Sequence, residues 1–172
     1  RNALFYAACS TRKVKRLILV DSRPDDNPQA SKALRHLLVN FPLQAGSLNE
    51  VVRAIQSLYP YLPREFCHHI ASYGYKQVHD GMFVPRCDSR MSMQSELTGY
   101  VIEDLWVFME NVTCPTLIVR GKENSFLSRQ DAQNMCKMIS KAEWKEIPES
   151  THMPMQENPV AFNKVVSDFL DN

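Results

Sequence analysis

His152 is the residue of this sequence best placed to do chemistry. It lies in residues 148–154, whose prolines and polar side chains predict a loop, between a short apolar-ended run and an amphipathic stretch. An imidazole can take up and return a proton near neutral pH, so it suits general acid–base work. Two earlier loops hold groups that could pair with it. Asp21 follows the apolar run 17–20, and Glu123 follows the apolar run 115–120 in a loop that also holds Ser125, whose hydroxyl cannot support an imidazolium as a carboxylate does. An acid loop followed by a histidine loop, in that chain order, is the second half of a nucleophile–acid–base triad. Each residue also has a plainer reading: His152 as a surface histidine, Glu123 as a solvated loop carboxylate, Asp21 as a residue that orders its own turn with Ser22 and Arg23.

Other clusters point to less. Cys67-His68-His69 looks like a metal site, but adjacent residues on a helix point about 100° apart and cannot hold one ion from one face. His36 and His79 have no partner at useful spacing and read as surface residues. The five cysteines, at 9, 67, 87, 114 and 136, form no Cys-x-x-Cys and are too few for a disulfide scaffold; they read as reduced thiols of a cytoplasmic protein. Neither a metal nor a cofactor is expected. Met82, Met91 and Met93 read as core filling or as the deformable lining of an apolar pocket.

The elements that must position these residues follow from periodicity and turn chemistry. Residues 2–10 read as a helix, and residues 14–20, short and continuously apolar at their end, as a strand buried in a parallel sheet. A loop over 21–28 leads to a helix over 31–40. Ser47 with Glu50 three residues on is a capping box for a helix carrying Val51, Val52, Ile55, Leu58 and Tyr59 on one face. Pro63 opens a helix over 63–73, and Asp80-Gly81 between Val78 and Phe83-Val84 signals a hairpin within 75–85. An amphipathic helix is expected over 101–111, with Leu105, Trp106 and Phe108 facing the core. Strand and helix then alternate: a strand at 115–120, a helix from the N-cap Ser128 to about 139, a strand at 143–147 and a helix over 157–170 whose Phe162, Val165, Val166, Phe169 and Leu170 make one face. Alternation of this kind predicts an α/β fold with a parallel sheet, whose functional residues gather at the carboxyl ends of the strands.

Composition bounds the partners. Lys plus Arg is 20 against 19 for Asp plus Glu in 172 residues, a net charge of +1 that offers no basic excess for nucleic acid. Apolar residues at 44% and charged residues at 23% describe an ordinary globular chain. No apolar run approaches the ~18 residues that a membrane span needs, so no membrane association is expected.

On the segments 114–121 and 151–159, Cys-Pro-Thr-Leu-Ile-Val-Arg-Gly and Thr-His-Met-Pro-Met-Gln-Glu-Asn-Pro, the sequence resembles the α/β-hydrolase family. The resemblance covers essentially the whole chain. It implies a partial α/β-hydrolase fold of three parallel strands with flanking helices: core residues 1–24 holding the helix and strand after the nucleophile elbow, a helical cap insertion over 25–100, and core residues 101–172 holding the acid and histidine loops. His152 is then the general base of a Ser–His–acid triad that cleaves an ester, amide or related bond. The usual acid position, four residues after Gly121, holds Ser125, so the acid falls to Glu123 or to Asp21, a position that some members of the fold use. The family's Gly-x-Ser-x-Gly nucleophile motif does not occur, because no two of the five glycines are four apart. The resemblance therefore implies a fragment cut just after the elbow. It would be inactive by itself and partnered by the missing N-terminal portion of the fold and by a small apolar substrate or ligand. Ser125 in the acid position motivates the alternative, a non-catalytic small-ligand-binding member of the same fold.

Overall fold

The computed structural model describes residues 1–10, 13–25, 32, 40–88, 104–123 and 126–171. In chain order these form α1 (Asn2–Cys9), β1 (Leu17–Val20), α2 (Leu48–Leu58), α3 (Arg64–Gly74), β2 (Tyr75–Gln77), β3 (Phe83–Pro85), a 3₁₀ helix (Trp106–Asn111), β4 (Thr116–Gly121), α4 (Arg129–Met138), β5 (Ala142–Ile147), α5 (Pro154–Glu157) and α6 (Pro159–Asp171). They fall into two compact units, Arg1–Ser31 with Ile102–Asn172, and Lys32–Val101. Most of the helix expected over 31–40, together with His36, Met91, Met93 and Ser125, lies outside the described residues.

The first unit is built on a parallel sheet with strand order β1–β4–β5. Leu17 pairs with Thr116 and Val20 with Val119, while Thr116 pairs with Ala142 and Gly121 with Ile147. The central strand β4 is buried at every position, as a strand covered on both faces must be. On one face Leu17, Leu19 and Ile118 pack with Leu4 of α1, with Met109 and Val112, and with Ala132 and Met135 of α4. On the other, Leu117, Val119 and Ile147 pack against Phe169, with Phe162, Val165 and Val166 of α6 at the margin. Side-chain alternation along β1 and β4 thus feeds two cores. The edge strand β5 instead alternates charge with bulk: Glu143 and Lys145 face solvent as an ion pair at 3.2 Å while Trp144 packs inward.

Three expected boundaries shift. The strand at 14–20 narrows to β1, because Lys15 and Arg16 are exposed and the first rung is Leu17 N–H to the Pro115 carbonyl at 2.9 Å. The amphipathic α-helix expected over 101–111 is, among the described residues, the 3₁₀ helix: the Asp104 carboxylate accepts from Trp106 N–H at 2.9 Å and closes a tight local turn instead. The last helix does not run unbroken from 157; Pro159 has no N–H to donate, and the chain breaks at Asn158 between α5 and α6. Leu170, expected on the core face, is 49% exposed, one residue past the buried Phe169.

In the second unit α2 starts as the capping box predicts, with Ser47 Oγ accepting from Glu50 N–H at 3.3 Å. The return bond differs: the Glu50 carboxylate accepts from Gly46 N–H at 2.9 Å, one residue before the cap. Val51, Val52 and Ile55 are buried. β2 and β3 form the antiparallel hairpin, turned at Gly81 with φ +82°, a conformation only glycine adopts without strain. Tyr75 is 4% exposed and donates its hydroxyl to the Pro42 carbonyl at 2.9 Å. No helix among the described residues is long and apolar enough to cross a membrane.

Candidate active site

Asp21 is the first residue past β1, and its N–H donates to the Val119 carbonyl of the neighbouring strand at 2.7 Å. The backbone then turns at once, with φ +45° at Asp21, a region that aspartate tolerates better than most residues. Its side chain is fully shielded from solvent. The loop behind it is braced: Arg23 pairs with Asp25 at 2.8 Å and with Asp131 at the start of α4, and the Trp106 indole N–H donates to Asp25 at 2.9 Å. Leu105 N–H also donates to the Pro24 carbonyl at 3.0 Å.

His152 comes from the far side of the sheet, after β5. Two strand spacings, about 10 Å, separate β1 from β5, so the loop that carries the histidine must pass over the end of β4. That crossing explains Gly121. A Cβ there would lie 2.0 Å from the Thr151 carbonyl oxygen and 2.6 Å from that of Ser150. The loop is pinned as it passes, by Lys122 N–H to the Ile147 carbonyl at 2.9 Å and Glu123 N–H to the Ser150 carbonyl at 3.0 Å. The buried Ser150 hydroxyl turns back onto the Ile147 carbonyl at 2.9 Å, and Glu149 adopts φ +50°. Asp21 and Glu149 are the two non-glycine residues with positive φ among the described residues, and both open loops of this site.

The result is a contact of 2.6 Å between His152 Nδ1 and Asp21 Oδ2. A carboxylate can only accept, so in the neutral imidazole Nδ1 carries the hydrogen and Nε2 has the lone pair. The imidazole is 40% exposed, and the Phe126 ring lies against it at a centroid distance of 4.4 Å. The arrangement can therefore take a proton at Nε2 and hold the resulting imidazolium on a shielded carboxylate.

Of the carboxylates the sequence left open, the structure brings Asp21 to His152. Glu123 is exposed, and among the described residues its carboxylate has no hydrogen-bond or ion-pair partner. Its loop is held through the backbone, by Glu123 N–H on the Ser150 carbonyl at 3.0 Å. The alternative role of Asp21, ordering a turn with Ser22 and Arg23, falls to Arg23 with Asp25 and Asp131. The sequence reading gave no role to Phe126 or to Glu157, which is 6% exposed and bonded to the backbone beside His152. A glutamate five residues after the histidine and directly before Asn-Pro was the available signal.

Among the described residues, three other histidines stand apart from this pair. His69 stacks between Phe66 and Tyr73 along α3, at centroid distances of 5.7 and 4.6 Å, and His68 and His79 are exposed. No three His, Cys, Asp or Glu side chains among the described residues converge as metal ligands.

No protein-family model and no curated protein matches the chain. Solved structures do. The chain is similar over 99% of its length to E-2-(acetamidomethylene)succinate hydrolase, with 23% identity and a TM-score of 0.82, covering 63% of that protein. It is similar over 98% to an α/β hydrolase from Novosphingobium aromaticivorans, with 19% identity and a TM-score of 0.75, covering 60% of it. An esterase from Mycobacterium tuberculosis matches over 99% with 20% identity and a TM-score of 0.66, 57% of it covered. The chain thus carries the α/β-hydrolase fold: three parallel strands with flanking helices that correspond to part of that fold. It spans about 60% of the length of the solved proteins it matches.

Proposed function

We propose that this chain carries the base and the acid of a Ser–His–acid hydrolase that cleaves esters, amides or related bonds. The observation that carries the reading is the 2.6 Å contact between His152 Nδ1 and the shielded Asp21, made by two loops at the carboxyl ends of parallel strands. His152 Nε2 removes the proton of the nucleophile and later returns it to the leaving group. Asp21 fixes the tautomer and stabilises the imidazolium without itself being protonated. The nucleophilic serine and the oxyanion hole come from outside these 172 residues, since the sequence holds no Gly-x-Ser-x-Gly. The substrate is small and apolar, and the solved neighbours named as a hydrolase and an esterase support the hydrolase class.

The test uses the intact protein, probed with a fluorophosphonate that labels activated serines and with a short-chain ester. Labelling and turnover that both collapse in His152→Ala are expected. Turnover that survives that substitution contradicts the proposal. The alternative, a non-catalytic ligand-binding member of the fold, was motivated by Ser125 in the usual acid position. The Asp21–His152 pair weighs against it by supplying a carboxylate from another strand.

A further inference from the structure

Two carboxylates among the described residues are buried, Asp21 at 4% and Glu157 at 6% exposure. Asp21 meets the imidazole. Glu157, at the end of α5, meets the peptide groups on either side of it. One of its oxygens, Oε2, accepts from Thr151 N–H at 2.6 Å and from Met153 N–H at 3.2 Å. The other, Oε1, accepts from the Thr151 hydroxyl at 2.8 Å. The donors flank His152 in sequence, so one side chain fixes the backbone before and after the histidine.

The near side of the same loop is held separately, by Glu123 N–H on the Ser150 carbonyl. Without the Glu157 carboxylate the loop keeps the Met153 carbonyl's bonds to the Gln156 and Glu157 N–H groups, both at 2.9 Å, but the N–H groups of Thr151 and Met153 lose this acceptor. Such groups turn toward water rather than stay unpaired, and the loop moves with them. We propose that Glu157 is a positioning residue: its carboxylate clamps the peptides around His152 so that Nδ1 meets Asp21. The inference rests on the reading of His152 as the general base.

Two measurements on the intact protein test it. One is the His152 Nδ1–H proton resonance without substrate; the other is kcat and KM on the ester. Glu157→Ala is expected to shift the resonance or erase it through fast exchange. Because a displacement of ~1 Å costs roughly 100-fold, kcat should fall by about 10- to 100-fold with little change in KM. Glu157→Gln keeps one oxygen for both N–H groups and a donor for the Thr151 hydroxyl oxygen, so it is expected to restore most of both signals. Parental resonance and kcat in Glu157→Ala would overturn the proposal. So would a Glu157→Gln as impaired as the alanine, since the clamp needs an acceptor and not a charge. If Glu157→Ala does not fold, Glu157→Met removes both acceptor oxygens while filling the space of the side chain, and an unchanged resonance there overturns the clamp. The resonance needs no turnover, so it decides the role of Glu157 even if His152→Ala shows the hydrolase reading to be wrong.

Discussion

Asp21 and His152 stand 131 residues apart in the chain and 2.6 Å apart in space. The parallel sheet makes that meeting. β1 delivers Asp21 and β5 delivers the histidine loop to the same end of the sheet, and β4 between them ends in a glycine over which the loop can cross. The hydrogen bond is directional: in the neutral ring it leaves Nε2 as the basic nitrogen.

Asp21→Asn should separate the chemistry from the backbone. Asparagine tolerates the positive φ of this position, so the turn survives, but its amide cannot hold an imidazolium. Turnover of the intact protein should fall by roughly 10³- to 10⁴-fold, the loss seen when a triad acid becomes a neutral amide. Glu123→Gln, an exposed change with no partner to lose among the described residues, should leave turnover at the parental level. Equal losses in the two variants, read by initial rates on the same ester, would show that the acid is not Asp21.

Much of this was legible in the chain. The apolar run through Leu19 and the run through Val119 announced buried parallel strands, and the turn chemistry after them placed the site at their carboxyl ends. Ser128 and Ser47 announced two helix starts, and each accepts the expected backbone N–H. What could not be read was which loop reaches which. Asp21 and Glu123 carry the same chemistry, and choosing between them needs the strand order β1–β4–β5 and the path of the histidine loop over β4. Glu157 was harder to read for a related reason: two of its three bonds go to peptide N–H groups, which every residue but proline supplies, so only the Thr151 hydroxyl and the place five residues after the histidine mark the pair. The 3₁₀ turn at Trp106 escaped because its cause, the Asp104 side chain closing onto the backbone, competes locally with a helical pattern that was itself genuine.

In the second unit, Tyr75 should make stability fall at alkaline pH. Burial, then the neighbouring Cys87, pushes its phenol up to about 12. A group whose value is raised on folding contributes stability that is complete below its unfolded value, about 10 for tyrosine, and that disappears as pH climbs to the folded value. At most about 2–3 kcal/mol is at stake between those limits. Ultraviolet titration should show one tyrosine ionising late. Tyr75→Phe should remove that step and the alkaline loss, at a cost of about 1 kcal/mol at neutral pH for the bond to the Pro42 carbonyl. A Tyr75→Phe variant with the parental alkaline titration would refute the assignment.

Thiol labelling should divide the five cysteines by exposure. Cys9 and Cys87 are exposed and should react at once with a small aromatic disulfide reagent, while Cys67 and Cys114 are buried and should wait for unfolding. Cys136 is half-buried, and its thiol is pushed up by burial and then by the Glu143 carboxylate, so at about pH 8 it should lag and then speed up as pH rises. Glu143→Gln should bring that acceleration to lower pH. Mass spectrometry of timed samples reads all five sites, and early labelling of Cys67 or Cys114 would mean that the core opens readily around it.

Gly121→Ala tests the crossing itself. The new Cβ would lie 2.0 Å from the Thr151 carbonyl and 2.6 Å from the Ser150 carbonyl, contacts with backbone that no side-chain rotation relieves. β4 cannot retreat, because it is paired on both edges and buried along its whole length. The histidine loop must therefore lift, stretching Glu123 N–H from the Ser150 carbonyl and drawing His152 from Asp21. Overpacking of this kind costs about 1–3 kcal/mol, which should appear as a lower urea midpoint. The Nδ1–H resonance should weaken together with it, and turnover should fall by more than the loss of folded protein explains. A variant with the parental midpoint and turnover would mean that the loop has a second route across β4, and the requirement for glycine at this position would be withdrawn.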